Sequence, residues 1–266
     1  MNAGVVGMAW RAVGTGPKLL LVNGYAATGE DWDPSFLSEL AESYEVVCPD
    51  NRGLRGSAPG DLELSIDSMA ADLEVLLDSL RIERLPVVGW SMGGFIVQRL
   101  AIRSPERVTA MALIATDPGG PDSVPPDPEA WSRLVDLSGT PEEQASRLIY
   151  LLFPPELAAD IDRRFGGVVA TARAELSAET LRAQEDAMDV WHRDGQPRPA
   201  DPGEPPTLIV HGSKDIVIPA ANAQALAERW SADRVEIFAG CGHAVMAQDP
   251  QRVVALIREL LDHIDQ

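Results

Sequence analysis

Apolar residues along the chain follow two patterns. Runs such as Leu19-Leu20-Leu21-Val22 and Leu208-Ile209-Val210 are continuously apolar, as expected of strands buried on both faces. Segments at Val5–Val13, Lys18–Val22, Glu45–Cys48, Leu85–Val88, Thr109–Ala115, Thr207–Val210 and Arg234–Phe238 all read as strands. Between them the apolar positions recur at helical spacing. Met69, Leu73, Leu76, Leu77 and Leu80 share one face of a helix that Ser65 can cap. Phe95, Leu100 and Ile102 belong to a second helix, and Ala223, Leu226 and Trp230 to a third. Val253, Leu256, Ile257, Leu260 and Ile264 mark the last, opened by Asp249-Pro250, an N-cap acceptor followed by a proline in the first turn. Strands alternating with helices predict an α/β fold: a mostly parallel twisted sheet with helices on both faces.

One segment breaks this rhythm. Residues 117–206 hold 13 of the 21 prolines and read as helical pieces at Pro141–Phe153, Glu156–Val168 and Ala178–His192. The division expected is a core of residues 1–116 and 207–266 with a helical cap, 117–206, inserted in it. Charge follows the same division. The 266-residue chain carries −19, and the insert, with 18 acids against 8 bases, contributes −10 of it. Such acidity argues against nucleic acid and anionic membranes as partners, which need clustered Lys and Arg. An apolar content of 45% excludes a disordered acidic tail. Two cysteines, Cys48 and Cys241, make no disulfide framework. No apolar stretch approaches the roughly 18 residues of a membrane span, and Met1–Trp10 lacks the pattern of a signal peptide. The expectation is a cytoplasmic protein.

Chemistry enters at Gly89-Trp90-Ser91-Met92-Gly93, where a strand runs through a sharp turn into a helix. A serine at the apex projects its hydroxyl from the sheet edge, and the helix N-terminus offers N–H groups to a developing oxyanion. Serine needs a base to take its proton, and the chain has four histidines. His263 lies in the last amphipathic helix. His192 sits in the insert, where His192-Arg193-Asp194 mimics a kinase loop without the phosphate-binding parts. His211 ends a strand. His243, in Gly240-Cys241-Gly242-His243 just after the last strand, shares the serine's edge of the sheet and is the expected base. Two aspartates are placed to orient it: Asp215, just past the preceding strand, and Asp117, in Thr116-Asp117-Pro118. Asp215 is favoured because the order Ser, Asp, His is the one this motif requires and the adjacent strand brings it nearest.

These residues make the chain resemble the α/β-hydrolase superfamily over nearly its whole length. Asp50-Asn51-Arg52-Gly53-Leu54-Arg55-Gly56-Ser57 is similar to the family's Asp-x-Arg-Gly-x-Gly-x-Ser stretch, which ties down a loop beneath the site. The resemblance implies an eight-stranded sheet and a substrate site between strand ends and cap. It also implies an oxyanion hole formed by the amides of Tyr25 and Met92. Where the family usually has His-Gly, this chain reads Val22-Asn23-Gly24-Tyr25, and Asn can hold the same turn through its side chain. Within the family, a serine nucleophile argues against epoxide hydrolases and haloalkane dehalogenases, which use aspartate. It fits an esterase or lactonase working through an acyl-enzyme; a carbon–carbon hydrolase of dienoic ring-cleavage products and a perhydrolase of the haloperoxidase-like group stay open with the same triad. A non-catalytic receptor built on the fold is the alternative of another class.

Trp90 beside the serine and Trp131, Phe153, Met188 and Trp191 of the insert are candidate pocket walls. No cofactor loop or metal-ligand spacing is present, so neither cofactor nor metal is expected, and the partner expected is a small ester or lactone. An insert carrying −10 repels anions. Matched neutral and anionic esters compared at low salt should therefore show faster turnover of the neutral one.

Overall fold

A computed structural model describes residues 2–3, 7–58, 63–196 and 204–262. Eight strands form one sheet in the order β1-β2-β4-β3-β5-β6-β7-β8. They are β1 (Asn2–Ala3), β2 (Ala9–Val13), β3 (Lys18–Val22), β4 (Glu45–Pro49), β5 (Leu85–Trp90), β6 (Val108–Ile114), β7 (Thr207–Gly212) and β8 (Arg234–Phe238). From β4 to β8 neighbouring strands pair parallel; β1 and β2 pair antiparallel at one edge. The helices are α1 (Pro34–Ala41), α2 (Ile66–Ser79), α3 (Met92–Arg103), α4 (Pro128–Leu134), α5 (Pro141–Leu152), α6 (Pro155–Ala174), α7 (Ala178–Asp194), α8 (Asn222–Trp230), α9 (Val245–Gln248) and α10 (Pro250–Asp262).

Burial on both faces explains the continuous apolar runs. Leu19, Leu20, Leu21 and Val22 are all fully buried, because alternate residues of β3 face opposite sides of the sheet. Leu20 and Val22 join a core with α2, α3 and α8, whereas Leu19 and Leu21 join one with α1, α9 and α10. Helices α4 to α7 lie in the chain between β6 and β7 and extend both clusters, through Ala130, Leu151, Leu181, Met188 and Trp191 on one side and Leu152 and Phe153 on the other.

Several expected elements change at their ends. Of the run expected at Val5–Val13, β2 takes Ala9–Val13; Gly7 is left-handed (φ 74°), and β1 pairs antiparallel with Ala9 and Trp10. Residues 5–6 of that run lie outside the described residues, as do His263 and Ile264. Helices α1 and α4 are additional to the expected elements, yet Asp33-Pro34 and Asp127-Pro128 carry the signature read at Asp249-Pro250. Asp33 accepts from the amides of Ser35 and Phe36, and Asp127 from those of Glu129 and Ala130. α6 continues to Ala174, through Gly166 and Gly167, beyond the Val168 expected.

The Asp50–Ser57 stretch is structural. Asp50 accepts from the Gly29 amide at 2.6 Å, and the Ser57 hydroxyl donates to the Asp50 carbonyl at 2.7 Å while accepting from the Ala9 amide. Arg52 makes a two-pronged ion pair with Asp72 of α2, both contacts at 2.6 Å. The start of α2 is closed by a capping box in which Ser65 and Ser68 each accept from the other's amide. Ser65→Ala removes one half of that exchange and should lower stability by about 1 kcal/mol in urea denaturation.

Candidate active site

The turn between β5 and α3 places Ser91 in a conformation that non-glycine residues rarely adopt, φ 55° and ψ −124°. Three hydrogen bonds to its backbone hold it there. The Ser91 amide donates to the Ile114 carbonyl of β6 at 3.0 Å, while the Ser91 carbonyl accepts from the Gly94 amide at 2.8 Å and the Thr116 hydroxyl at 2.9 Å. A glycine is needed at position 93 because α3 passes close to β3: a Cβ there would sit 2.1 Å from the Val22 carbonyl oxygen.

The loop after β3 lies directly against this turn. A Cβ on Gly24 would meet the Ser91 Cβ at 3.0 Å and its Oγ at 3.5 Å. Asn23, in place of the family's usual histidine, fixes the loop. Its side-chain oxygen accepts from the Gly24 amide, its Nδ2 donates to the Thr28 carbonyl, and its own carbonyl accepts from Asn51 Nδ2. The amides of Tyr25 and Met92 donate to no acceptor among the described residues, so both N–H groups are free beside the serine turn.

His243 follows β8 and is 2% exposed; Ser91 is 8% exposed. Its Nδ1 is 2.7 Å from Asp215 Oδ2. Because a carboxylate only accepts, that nitrogen carries the proton, which in the neutral ring leaves the lone pair on Nε2. Asp215 is itself oriented: Oδ1 accepts from the amides of Val217 and Ile218, both at 2.9 Å. Trp90 backs the histidine, with its indole N–H donating to the His243 carbonyl at 3.0 Å and the ring centroids 5.4 Å apart.

The alternative aspartate, Asp117, is occupied elsewhere. Oδ1 accepts from the Gly119 amide, the Ser123 hydroxyl and the Trp191 indole, and Oδ2 faces His192 Nε2 at 3.0 Å. It thus ties the end of β6 to the end of α7. Trp191 also stacks on Phe95 (4.7 Å), and His192 meets Phe95 and Trp131 edge-on. Met188 and Trp191 share a cluster with Tyr25 and Met92, against which half-buried Trp131 packs; Trp90 and Phe153 belong to the cluster on the other face of the sheet. Cys241 is a free thiol, raised by burial, whose carbonyl accepts from the Lys214 amide.

Sequence reasoning passes over a polar group on the inner side of α7. Gln184 is fully buried and accepts from the Ala26 amide at 3.0 Å, and Glu185 accepts from the Tyr25 hydroxyl at 2.5 Å. Burial, and then the neighbouring Glu185, raise the Tyr25 phenol well above its usual range; burial also raises Glu185 and lowers the nearby Arg173. The signal for Gln184 is its position: it falls on the inward stripe Leu181, Gln184, Met188, Trp191, where a polar residue needs a reason. Among the described residues no group of three or more His, Cys, Asp or Glu side chains could hold a metal, and no helix is long and apolar enough to cross a membrane.

The chain belongs to the α/β-hydrolase fold family, whose model matches residues 17–250. It is 26% identical to the pimeloyl-[acyl-carrier protein] methyl ester esterase of Nitrosomonas europaea, over 91% of this chain and 94% of that protein. It is 25% identical to the 2-hydroxy-6-oxo-2,4-heptadienoate hydrolase of Pseudomonas putida, over 94% of this chain and 90% of the relative. Among solved structures it is similar to a meta-cleavage product hydrolase of Pseudomonas fluorescens, with a TM-score of 0.81 at 21% identity, covering 96% of this chain and 94% of that one.

His211, fully buried at the end of β7, has neither ring nitrogen hydrogen-bonded among the described residues. Burial pushes its pKa down to about 4. An unfolded chain binds that proton near pH 6.5, so stability falls as pH drops from there towards 4, by about 2 kcal/mol at pH 5. Urea midpoints at pH 7 and pH 5 should show this loss, and His211→Asn should remove it.

Proposed function

We propose that the protein is a serine hydrolase that cleaves an ester or lactone of a small, neutral compound through an acyl-enzyme on Ser91. The observation that carries this reading is the strained Ser91 turn, with the His243–Asp215 pair on the neighbouring strand ends and two free amides beside it. In this reading Ser91 Oγ attacks the carbonyl carbon while His243 Nε2 takes its proton. Asp215 keeps the proton on Nδ1 and stabilises the imidazolium that forms. The amides of Tyr25 and Met92 receive the oxyanion. His243 then returns the proton to the leaving alkoxide, and water, activated by the same nitrogen, releases the acid. The core of residues 1–116 and 207–266 supplies this machinery. The cap, 117–206, supplies the substrate walls, with Trp131, Phe153, Met188 and Trp191 on it and Trp90 below.

The second reading is hydrolysis of a carbon–carbon bond in a dienoic ring-cleavage product. The similarity to the Pseudomonas putida hydrolase and the likeness of fold to the meta-cleavage product hydrolase favour it. The same serine, histidine and aspartate serve both reactions, so the substrate decides. Short p-nitrophenyl esters, lactones and dienoic acids assayed against wild type and Ser91→Ala separate them. The expected result is ester or lactone turnover that Ser91→Ala abolishes, with fluorophosphonate labelling of Ser91 in the wild type; turnover confined to dienoic acids selects the second reading. Native protein that neither labels nor turns over any of the panel would instead point to a receptor. Asp215→Asn, which lets the imidazole take the wrong tautomer, should lower kcat by about 10⁴.

A further inference from the structure

The loop carrying the Tyr25 amide is gripped from two sides, and only one grip belongs to the core. From below, Asn23 and Asn51 hold it. From above, two consecutive residues of α7 hold its tip: the Ala26 amide donates to Gln184 Oε1 at 3.0 Å, and the Tyr25 hydroxyl to Glu185 at 2.5 Å. The orientation of the Gln184 amide is fixed by chemistry, because a backbone N–H only donates and must face the carboxamide oxygen. Its Nε2 is then buried and without a hydrogen-bond partner among the described residues. A glutamine fully buried with half its amide unsatisfied is poor packing, and its contact with Ala26 is what it contributes. Ala26 itself adopts a left-handed conformation, φ 56°, which a non-glycine residue keeps only when its surroundings impose it.

We infer that Gln184 and Glu185 are positioning residues for the oxyanion hole: seated on the Tyr25–Ala26 turn, α7 aims the Tyr25 amide at the substrate oxygen. The inference rests on the serine-hydrolase reading. It adds that the catalytic geometry is complete only while α7 is docked, because two of the contacts defining the turn come from the insert. Ser91 and His243 are both buried with α7 docked. Neither α7 side chain touches the reacting atoms in this account; both act through the backbone of the turn.

The test uses full-length Gln184→Met, which keeps the volume and removes the acceptor, and Tyr25→Phe, which keeps the ring and removes the peg. On a p-nitrophenyl ester, kcat should fall about tenfold in each with KM held within about twofold, the mark of an interaction made in the transition state. Inhibition by phenylboronic acid, whose tetrahedral adduct occupies the oxyanion position, should weaken by the same factor. Hydrogen–deuterium exchange should quicken over residues 23–28 and stay unchanged in α3. Unchanged kcat in both variants, or a fall in kcat accompanied by faster exchange across the whole chain, overturns the inference while the hydrolase reading stands. Wild type that neither labels with fluorophosphonate nor turns over ester removes both.

Discussion

Everything at the site depends on holding one residue, Ser91, in a backbone conformation it would not choose. Such a conformation costs on the order of 1–3 kcal/mol, and no single contact offsets it. What holds it is the stacking of three backbones: β5 leading in, β6 accepting the Ser91 amide, and α3 leaving close enough to β3 that position 93 has no room for a side chain. That arrangement needs β5 to sit between β3 and β6, which in turn needs side chains buried on both faces of the sheet. The continuous apolar runs and the strained Ser91 turn are therefore two ends of one constraint.

The parts of the fold legible in the sequence were those with a strong local period. β3 and β8 match their expected bounds residue for residue, and α2 begins where Ser65 caps it. What escaped were short elements whose signal is a cap. α1 and α4 each start with an aspartate accepting two amides and a proline behind it, yet both sit among turn residues that read equally well as loop. β1 escaped because a two-residue strand has no period.

At the site, Ser91, His243 and Asp215 were readable because loops that follow parallel strands emerge at one edge of the sheet. The Nδ1–carboxylate contact then distinguishes Asp215 from Asp117, whose oxygens serve the junction of β6 and α7. Gln184 and Glu185 were not readable in the same way. Their partners lie about 160 residues away in the chain, and no local pattern encodes a contact between an inserted helix and a turn of the core. A polar residue on an apolar stripe signals that something unusual is buried, and leaves open what it touches. Asn23 shows the converse. Its side chain accepts from the very next amide, so its turn-holding role was visible locally although it departs from the family's usual histidine.

The position of the insert also bears on how the molecule comes to be folded. Strands β6 and β7 are neighbours, with Met111 opposite Thr207, so their pairing must close a loop containing the whole of α4 to α7. Closure entropy grows only with the logarithm of loop length, by about 0.6 kcal/mol for each doubling. The sheet is thus nearly indifferent to how many residues lie between those strands at equilibrium. The burden falls on time: contacts far apart in sequence are slow to form, and β7 carries Asp215 just beyond its end. The same junction is where an insert of different length or composition joins the sheet at least thermodynamic cost, leaving the Ser91 turn and the His243 loop where they are. One sheet is thereby open to helical segments of different length between β6 and β7.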